Sequence, residues 1–403
     1  MNSLNPTSPV TKSKPLIKRV ELVQFRYPVT NAARDPRTGK LFYKVGAEAE
    51  MPTFAIRLES DNVVGEYVAH MGGRPAVSAQ VATVAKGIVG MPIGSNTVFN
   101  AFASKQLQTL GQLGVGALDI AMWDLLGKSL NTPISDMIGL WRAKLPTYAS
   151  LIHGHRQGDI ASHEALKDAA DHCVEVGFRG VKFRGWPGDD AKGYSQAIEA
   201  LAMHLPDRKA LNLFLDPGCD LTTFGEAIQV GHAADEAGLY WLEDVFRDSG
   251  HSRAAHQRLR QQIKTPLLCG EHVRGLEAKA DWVSSGATDF IRADPELDGG
   301  ISGCLKIAHL AEAFGMDMEV HGSGPAHRLT MAAIRNTNFY EFGLVMPDGT
   351  NIHAPPVYKC GYSDNFEGLG KDGTVCVPSG PGLGVRYDWA KIRKMATDQI
   401  EFT

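Results

Sequence analysis

The 403-residue chain reads as an α/β protein: a (β/α)8 barrel with an N-terminal α+β capping domain that the C-terminal segment completes. Three observations predict this. From about residue 145 one unit recurs: a short apolar run, a polar or glycine-containing break, then an amphipathic helical stretch. Eight such runs occur, and strands alternating with helices of this length imply a closed parallel sheet. The residues ahead of them alternate like strands, then turn helical, and do not share the repeat.

Residues 1–16, "MNSLNPTSPVTKSKPL", are polar and rich in Pro and Ser, so a disordered leader is expected, neither signal peptide nor membrane anchor. The capping domain is expected over 17–140. It opens with the strand-like segments "IKRVELVQFRYPV", "TFAIRLES" and "VVGEYVAH" and ends in a helical "GVGALDIAMWDLLGKSL", whose Leu118, Met122 and Leu125 share one face. The barrel is expected over 141–345. Its strands are "LPTYASL" (145–151), "GVKFR" (180–184), "LNLFLD" (211–216), "LYWLED" (239–244), "PLLCGE" (266–271), "DFIRAD" (289–294), "MDMEVH" (316–321) and "NFYEF" (338–342). Helices such as 162–177 and 300–315 fill the gaps, each closing on a glycine. Residues 346–403 are rich in Pro and Gly, lack a period, and are expected to pack back on the capping domain.

A net charge of -4 leaves no basic footprint for nucleic acid or an anionic membrane surface. No run of 18 apolar residues is long enough to cross a bilayer. Six cysteines without a CxxC pair read as reduced, buried thiols, as in a cytoplasmic protein.

In such barrels the chemistry sits at the C-terminal ends of the strands. Here strands two to eight end in Lys182 and Arg184, Asp216, Glu243, Glu271, Asp294, His321 and Glu341. One acid at a strand end is commonly a helix cap; seven ionisable ends in succession are not explained that way. Asp216, Glu243 and Glu271 come from adjacent strands. Three converging carboxylates raise one another's pKa unless a hard cation joins them, and all-oxygen ligation favours Mg2+ over Zn2+. Asp294 and His321 follow on the next two strands, as an acid orienting an imidazole base would. Lys182 and Arg184 are two apart, leave one face of their strand, and require an anion.

Together these residues resemble the enolase superfamily, and within it the mandelate racemase subgroup. "GVGALDIAMWDLLGKSLNTPISDMIG" is similar to the family's capping-domain helix, and "WLED" and "CGEH" carry Glu243 and Glu271 at ligand positions beside Asp216. "ADPELDGGISGCLKIAHLAEAFGMDMEVHGSG" is similar to the subgroup's signature around its Asp/His dyad. The resemblance implies Mg2+-dependent abstraction of the proton α to a carboxylate, an enediolate held by the metal, Lys182 as electrophile and Glu341 as a hydrogen-bonding partner of the enediolate. It also implies that the anion facing Lys182 and Arg184 is the substrate carboxylate, and that the enzyme is a homo-oligomer. One departure decides the reaction. The family's second strand carries Lys-x-Lys, whose second Lys is a base, whereas Arg184 stands here and stays protonated.

Racemisation needs a base on each face of the substrate, and only the His321 face has an obvious one. Dehydration of a sugar acid, an aldonate or aldarate, to a 2-keto-3-deoxy acid is therefore the expected activity, with racemase or epimerase as the alternative. Arg34 and Tyr43, within a polar loop at 27–51 that closes the barrel mouth, and His153 and His155 of "LIHGHR" are candidate contacts for this small-molecule carboxylate; either His could instead donate the leaving group's proton. The His-x-His pair also resembles a metal-dependent hydrolase, but the other ligands of such a site are missing. A non-catalytic barrel would have lost a ligand or the dyad, and both are complete.

Overall fold

The computed structural model describes residues 15–70, 73, 75–186, 190–205, 211–247 and 251–403. The expected leader falls almost wholly on 1–14, outside the described residues.

The cap opens with β1 (Arg19–Arg34), β2 (Leu41–Glu59) and β3 (Val64–Val68), joined in an antiparallel sheet. Phe25, Tyr27 and Val29 point inward while Arg26, Pro28 and Thr30 between them are exposed, the period-two pattern of a one-sided sheet. The β1/β2 hairpin pairs as far as Arg34 with Leu41. Residues 27–51, expected as a loop, are therefore mostly paired strand with a short tip at 35–40. The sequence conceals this because "YKVGAEAE" is half-exposed or exposed throughout and offers no apolar alternation. Helices α1 (Pro75–Ala85), α2 (Asn96–Gln106), α3 (Val115–Leu130) and α4 (Ile134–Ile138) follow. Leu118, Met122 and Leu125 of α3 are all buried.

The barrel then runs β4 (Lys144–Leu151), α5 (His163–Val176), β5 (Gly180–Phe183), α6 (Ala191–His204), β6 (Asn212–Leu215), α7 (Phe224–Ala237), β7 (Trp241–Glu243), α8 (Arg253–Arg260), β8 (Leu267–Cys269), α9 (Leu276–Ser285), β9 (Phe290–Ala293), α10 (Gly300–Ala313), β10 (Asp317–Val320), α11 (Pro325–Ala333) and β11 (Tyr340–Val345). Each strand from β4 to β10 is parallel to the next, and β11 lies beside β4. The β10/β11 seam is held by a side chain: the Glu319 carboxylate accepts the N–H groups of Asn338 at 3.1 Å and Phe339 at 3.3 Å. Helix α5 stops at Gly177, whose φ of 112° suits a residue without Cβ.

Cap and barrel are fastened where α3 meets the start of α10. Asp119 of α3 accepts the Ser302 N–H at 3.1 Å and the Ser302 hydroxyl at 2.8 Å. A Cβ on Gly300 would stand 2.0 Å from an Asp119 oxygen, so the glycine pair at 299–300 permits this approach. The C-terminal segment serves both parts. β12 (Thr374–Cys376) pairs antiparallel with β4, whereas after α12 (Trp389–Lys394) strand β13 (Ala396–Phe402) adds to the edge of β1. Only its last part thus joins the cap sheet. Among the described residues no helix is long and apolar enough to cross a membrane. The cysteines are unpaired, but only Cys173, Cys269 and Cys304 are buried; Cys376 is exposed.

Candidate active site

The strand ends open into one cavity of about 360 Å³, roofed by the hairpin tip and by residues around His70 and His353. An isolated bridge between Phe42 and His153 zips the start of β2 onto the end of β4, which fixes the tip over the barrel mouth. Arg184, Asp216, Glu271, His321 and Glu341 line the cavity. Lys182, Glu243 and Asp294 are fully buried beside them. One strand position differs from expectation: Glu341 lies near the start of β11, which continues past a register shift to Val345.

The two cations on the second barrel strand have protein partners. Lys182 Nζ lies 2.8 Å from a Glu243 oxygen, 2.8 Å from Glu341 Oε1 and 3.8 Å from Asp216 Oδ2. Arg184 Nη2 lies 2.6 Å from Asp216 Oδ2, while its Nη1 donates to the Ser150 hydroxyl at 2.9 Å and the Leu151 carbonyl at 3.0 Å. The expectation that their anion is the substrate carboxylate is corrected accordingly: protein carboxylates already meet both, because a buried cation without a permanent anion would be too costly in the substrate-free protein. Burial opposes ionisation of Asp216, but Arg184 and Lys182 outweigh it and hold the carboxyl well below the usual range. Glu341 behaves alike, with Lys182 and Arg292 overcoming burial.

His321 Nδ1 sits 2.8 Å from Asp294 Oδ2, and its Nε2 lies 3.4 Å from Glu271 Oε1. Asp294 is itself placed by the Glu296 N–H, which donates to its Oδ1 at 2.7 Å. Burial disfavours the imidazolium, yet the Glu271, Asp294 and Glu341 carboxylates raise His321 to about 9. Glu271 is correspondingly lowered, against burial, to about 2 by His321 and His272.

Among the expected substrate contacts, Arg34 and His153 line the cavity. Arg34 spends its guanidinium on the Gly39 carbonyl at 2.7 Å and the Glu50 carbonyl at 2.8 Å, stiffening the hairpin tip. Burial and the neighbouring Arg184 push the His153 pKa well down, so it is a neutral imidazole and a poor proton donor. His155 and Tyr43 do not line the cavity. His155 stacks on Phe42 with ring centroids 3.9 Å apart and meets Asp35 Oδ2 at 3.2 Å. Tyr43 pairs with Ala32 in the hairpin. The His-x-His pair therefore does not converge: both residues lie beyond the end of β4 at Leu151, where the alternation of a strand no longer places them on one face.

Arg292 escaped the sequence reading. It donates through Nε and Nη2 to both oxygens of Glu243, at 2.8 and 3.1 Å, and through Nη2 to the Tyr148 hydroxyl at 2.7 Å. Its spacing two residues before Asp294 was the available signal, the same i, i+2 relation that singled out Lys182 and Arg184. Lys40, at the hairpin tip, and His272, next to Glu271, also line the cavity and were not anticipated.

The residues present suit a hard divalent cation. Asp216, Glu243 and Glu271 each offer an oxygen, all within 4.8 Å of one another. Around them Asp294 and Glu341 bring the carboxylates to five, against the permanent cations Lys182, Arg184 and Arg292. Carboxylates thus outnumber the permanent cations here, an excess that a divalent ion would offset.

The mandelate racemase/muconate lactonizing enzyme N-terminal domain model matches residues 36–139, and the enolase C-terminal domain-like model matches residues 165–391. A D-galactonate dehydratase family member of Paenibacillus is 28% identical over 311 residues, covering 70% of this chain and 72% of the relative. The 3,6-anhydro-alpha-L-galactonate cycloisomerase of Streptomyces coelicolor is 27% identical over 409 residues, covering 94% and 99%. The structure of D-glucarate dehydratase from Agrobacterium tumefaciens complexed with magnesium superposes with a TM-score of 0.80 at 25% identity, covering 95% of this chain and 99% of that one. With the second family model spanning more than half of its residues, the chain belongs to the enolase superfamily, in the mandelate racemase/muconate lactonizing enzyme branch.

Proposed function

We propose that the protein is an acid-sugar dehydratase that converts an aldonate or aldarate to a 2-keto-3-deoxy acid. The observation that carries this reading is the Asp294-oriented His321, whose Nε2 lies 3.4 Å from Glu271 of the carboxylate trio at the barrel mouth. Mg2+ held by Asp216, Glu243 and Glu271 would supply positive charge opposite the substrate carboxylate as a second negative charge develops on it.

The residues of the chain do the rest. His321 Nε2 takes the α-proton and the C–H electron pair moves into the carboxylate as an enediolate, whose collapse forms the new C–C double bond as the β C–O bond breaks. The imidazolium so formed returns the proton to the departing hydroxide, which leaves as water, and the enol tautomerises to the 2-keto acid. Lys182 and Arg184 place two fixed positive charges under the developing anion. Glu341, ionised and accepting the Gly322 N–H at 2.9 Å, anchors Lys182. The hairpin tip excludes water.

Epimerisation would need a base opposite His321. Lys182 is the available group there, and its ammonium is clamped between Glu243 and Glu341. Hydrolysis through a His-x-His pair is disfavoured by the turned-away His155. The test is a screen of aldonic and aldaric acids, together with 3,6-anhydro-galactonate, for 2-keto product in D2O with Mg2+. A 2-keto-3-deoxy product from an aldonic or aldaric acid supports the reading, whereas one from 3,6-anhydro-galactonate alone, where the ring ether opens and no water is lost, would replace it with cycloisomerisation. Deuterium exchange without elimination would replace it with epimerisation, and silence with every acid would count against both.

A further inference from the structure

A second set of ligand-type side chains lies beside the carboxylate trio, and the dehydration proposed above gives it no part. Cys219, Asp244 and His272 each offer one donor atom, and these atoms all lie within 4.8 Å of one another. They follow three successive strands, β6, β7 and β8, and all line the cavity. The loops that carry them are fastened together. The Cys219 N–H donates to the Asp244 carbonyl at 3.1 Å, the Leu221 N–H to the Val245 carbonyl at 3.3 Å, and Leu221 bridges Phe246 in parallel.

A separate observation concerns Asp244 alone. Its side chain is 1% exposed. Oδ1 accepts the Gly270 N–H at 3.3 Å, but Oδ2 is buried with no hydrogen-bond partner among the described residues. A buried carboxyl oxygen is rarely left unmatched in a folded protein, so the position calls for a partner that the described residues do not supply. The neighbouring Glu243, Glu271 and Asp216 are acids and cannot serve.

The geometry points to a second cation site at Cys219, Asp244 and His272, distinct from the trio and selective for a borderline transition metal such as Zn2+. Sulfur, imidazole nitrogen and one carboxylate make a donor set for such an ion, whereas the all-oxygen trio suits Mg2+. Three protein ligands leave a fourth position open toward the cavity, for water or a substrate oxygen. The inference does not depend on the dehydratase reading, because it concerns metal binding by the free protein.

Co2+ is the probe, titrated into the full-length protein with Mg2+ in large excess. One equivalent of Co2+ should be retained with a thiolate-to-cobalt charge-transfer band in the near ultraviolet, and Zn2+ should abolish the band. Cys219→Ser should remove it, and His272→Gln should weaken Co2+ binding by at least about tenfold, each variant being checked for fold by circular dichroism. X-ray absorption on the zinc-loaded wild type gives a readout independent of any variant and should count one sulfur per zinc. Absence of the band, its survival in Cys219→Ser, complete displacement of Co2+ by Mg2+, or zinc without sulfur would each overturn the assignment.

Discussion

Two layers inside the same barrel lie two residues apart along the chain at four of its strands. The lower layer is apolar: Tyr148, Phe214, Trp241 and Leu268 form a buried cluster with Phe290 and Phe339 packed against it. Phe214 and Trp241 have ring centroids only 4.2 Å apart. Two positions on, the same strand faces carry charge: Phe214 is followed by Asp216, Trp241 by Glu243, Phe290 by Arg292 and Phe339 by Glu341. The layers touch through rings, with Lys182 Nζ 5.5 Å from the centre of Tyr148 and the Arg292 guanidinium 5.8 Å from that of Trp241. The lower layer is thus a floor that keeps water from the charges above it. A charge network so enclosed interacts far more strongly than one at the surface.

If this division is right, substitutions in the two layers should fail differently. Glu243→Gln should have the largest effect, because it leaves Lys182 and Arg292 short of an anion and the trio short of a ligand. The loss should be about 3–5 kcal/mol of stability and more than about a hundredfold in Mg2+ affinity, read by urea unfolding and titration calorimetry. Trp241→Ala should cost a similar 3–5 kcal/mol through the cavity it leaves, while Mg2+ affinity of the folded fraction changes far less. Equal losses of metal affinity would mean that the layers are not separable.

Asp294→Asn tests the upper layer by pH. His321 is raised to about 9, so in metal-free protein its stabilising contribution is complete below the ordinary histidine value near 6.5 and is lost as pH rises through about 9. The base form needed for proton abstraction likewise grows as pH rises. Removing the Asp294 charge should shift both transitions to lower pH, alongside a slower reaction, as a pH profile of dehydration and of metal-free unfolding would show. Arg184→Lys should have the smallest effect. The ammonium keeps its attraction to Asp216 but loses the fork to Ser150 and the Leu151 carbonyl, a loss of about 1.5–3 kcal/mol in charge-assisted hydrogen bonding. It should also introduce α-proton exchange on the face opposite His321, measured in D2O by NMR.

The upper layer was largely legible in the sequence because each acid or base closes an apolar run, a pattern that solvent-facing strand ends do not repeat seven times. Arg292 was hidden because it sits inside its run, where a fully buried strand reads as continuous apolar sequence. His155 and Tyr43 were misplaced because both depend on the hairpin, whose two-sided exposure gives no period and whose register is set by pairing alone. Strand β13 was missed for a related reason: "ATDQIEF" is largely exposed, and only its ladder to β1 makes it a strand. Local pattern thus locates the charges, whereas long-range pairing decides which of them meet.

In the proposed dehydration His321 is the base that acts beside a divalent cation. Its most direct test compares wild type and His321→Asn in D2O, with Mg2+ and with chelator, on whichever sugar acid the screen identifies. The expected result is 2-keto-3-deoxy product from the wild type with Mg2+ alone, and a fall of about 10²–10⁴-fold in both product and α-deuteration for His321→Asn, with its fold and Mg2+ affinity retained. Undiminished turnover in His321→Asn, or in the chelated wild type, would contradict it.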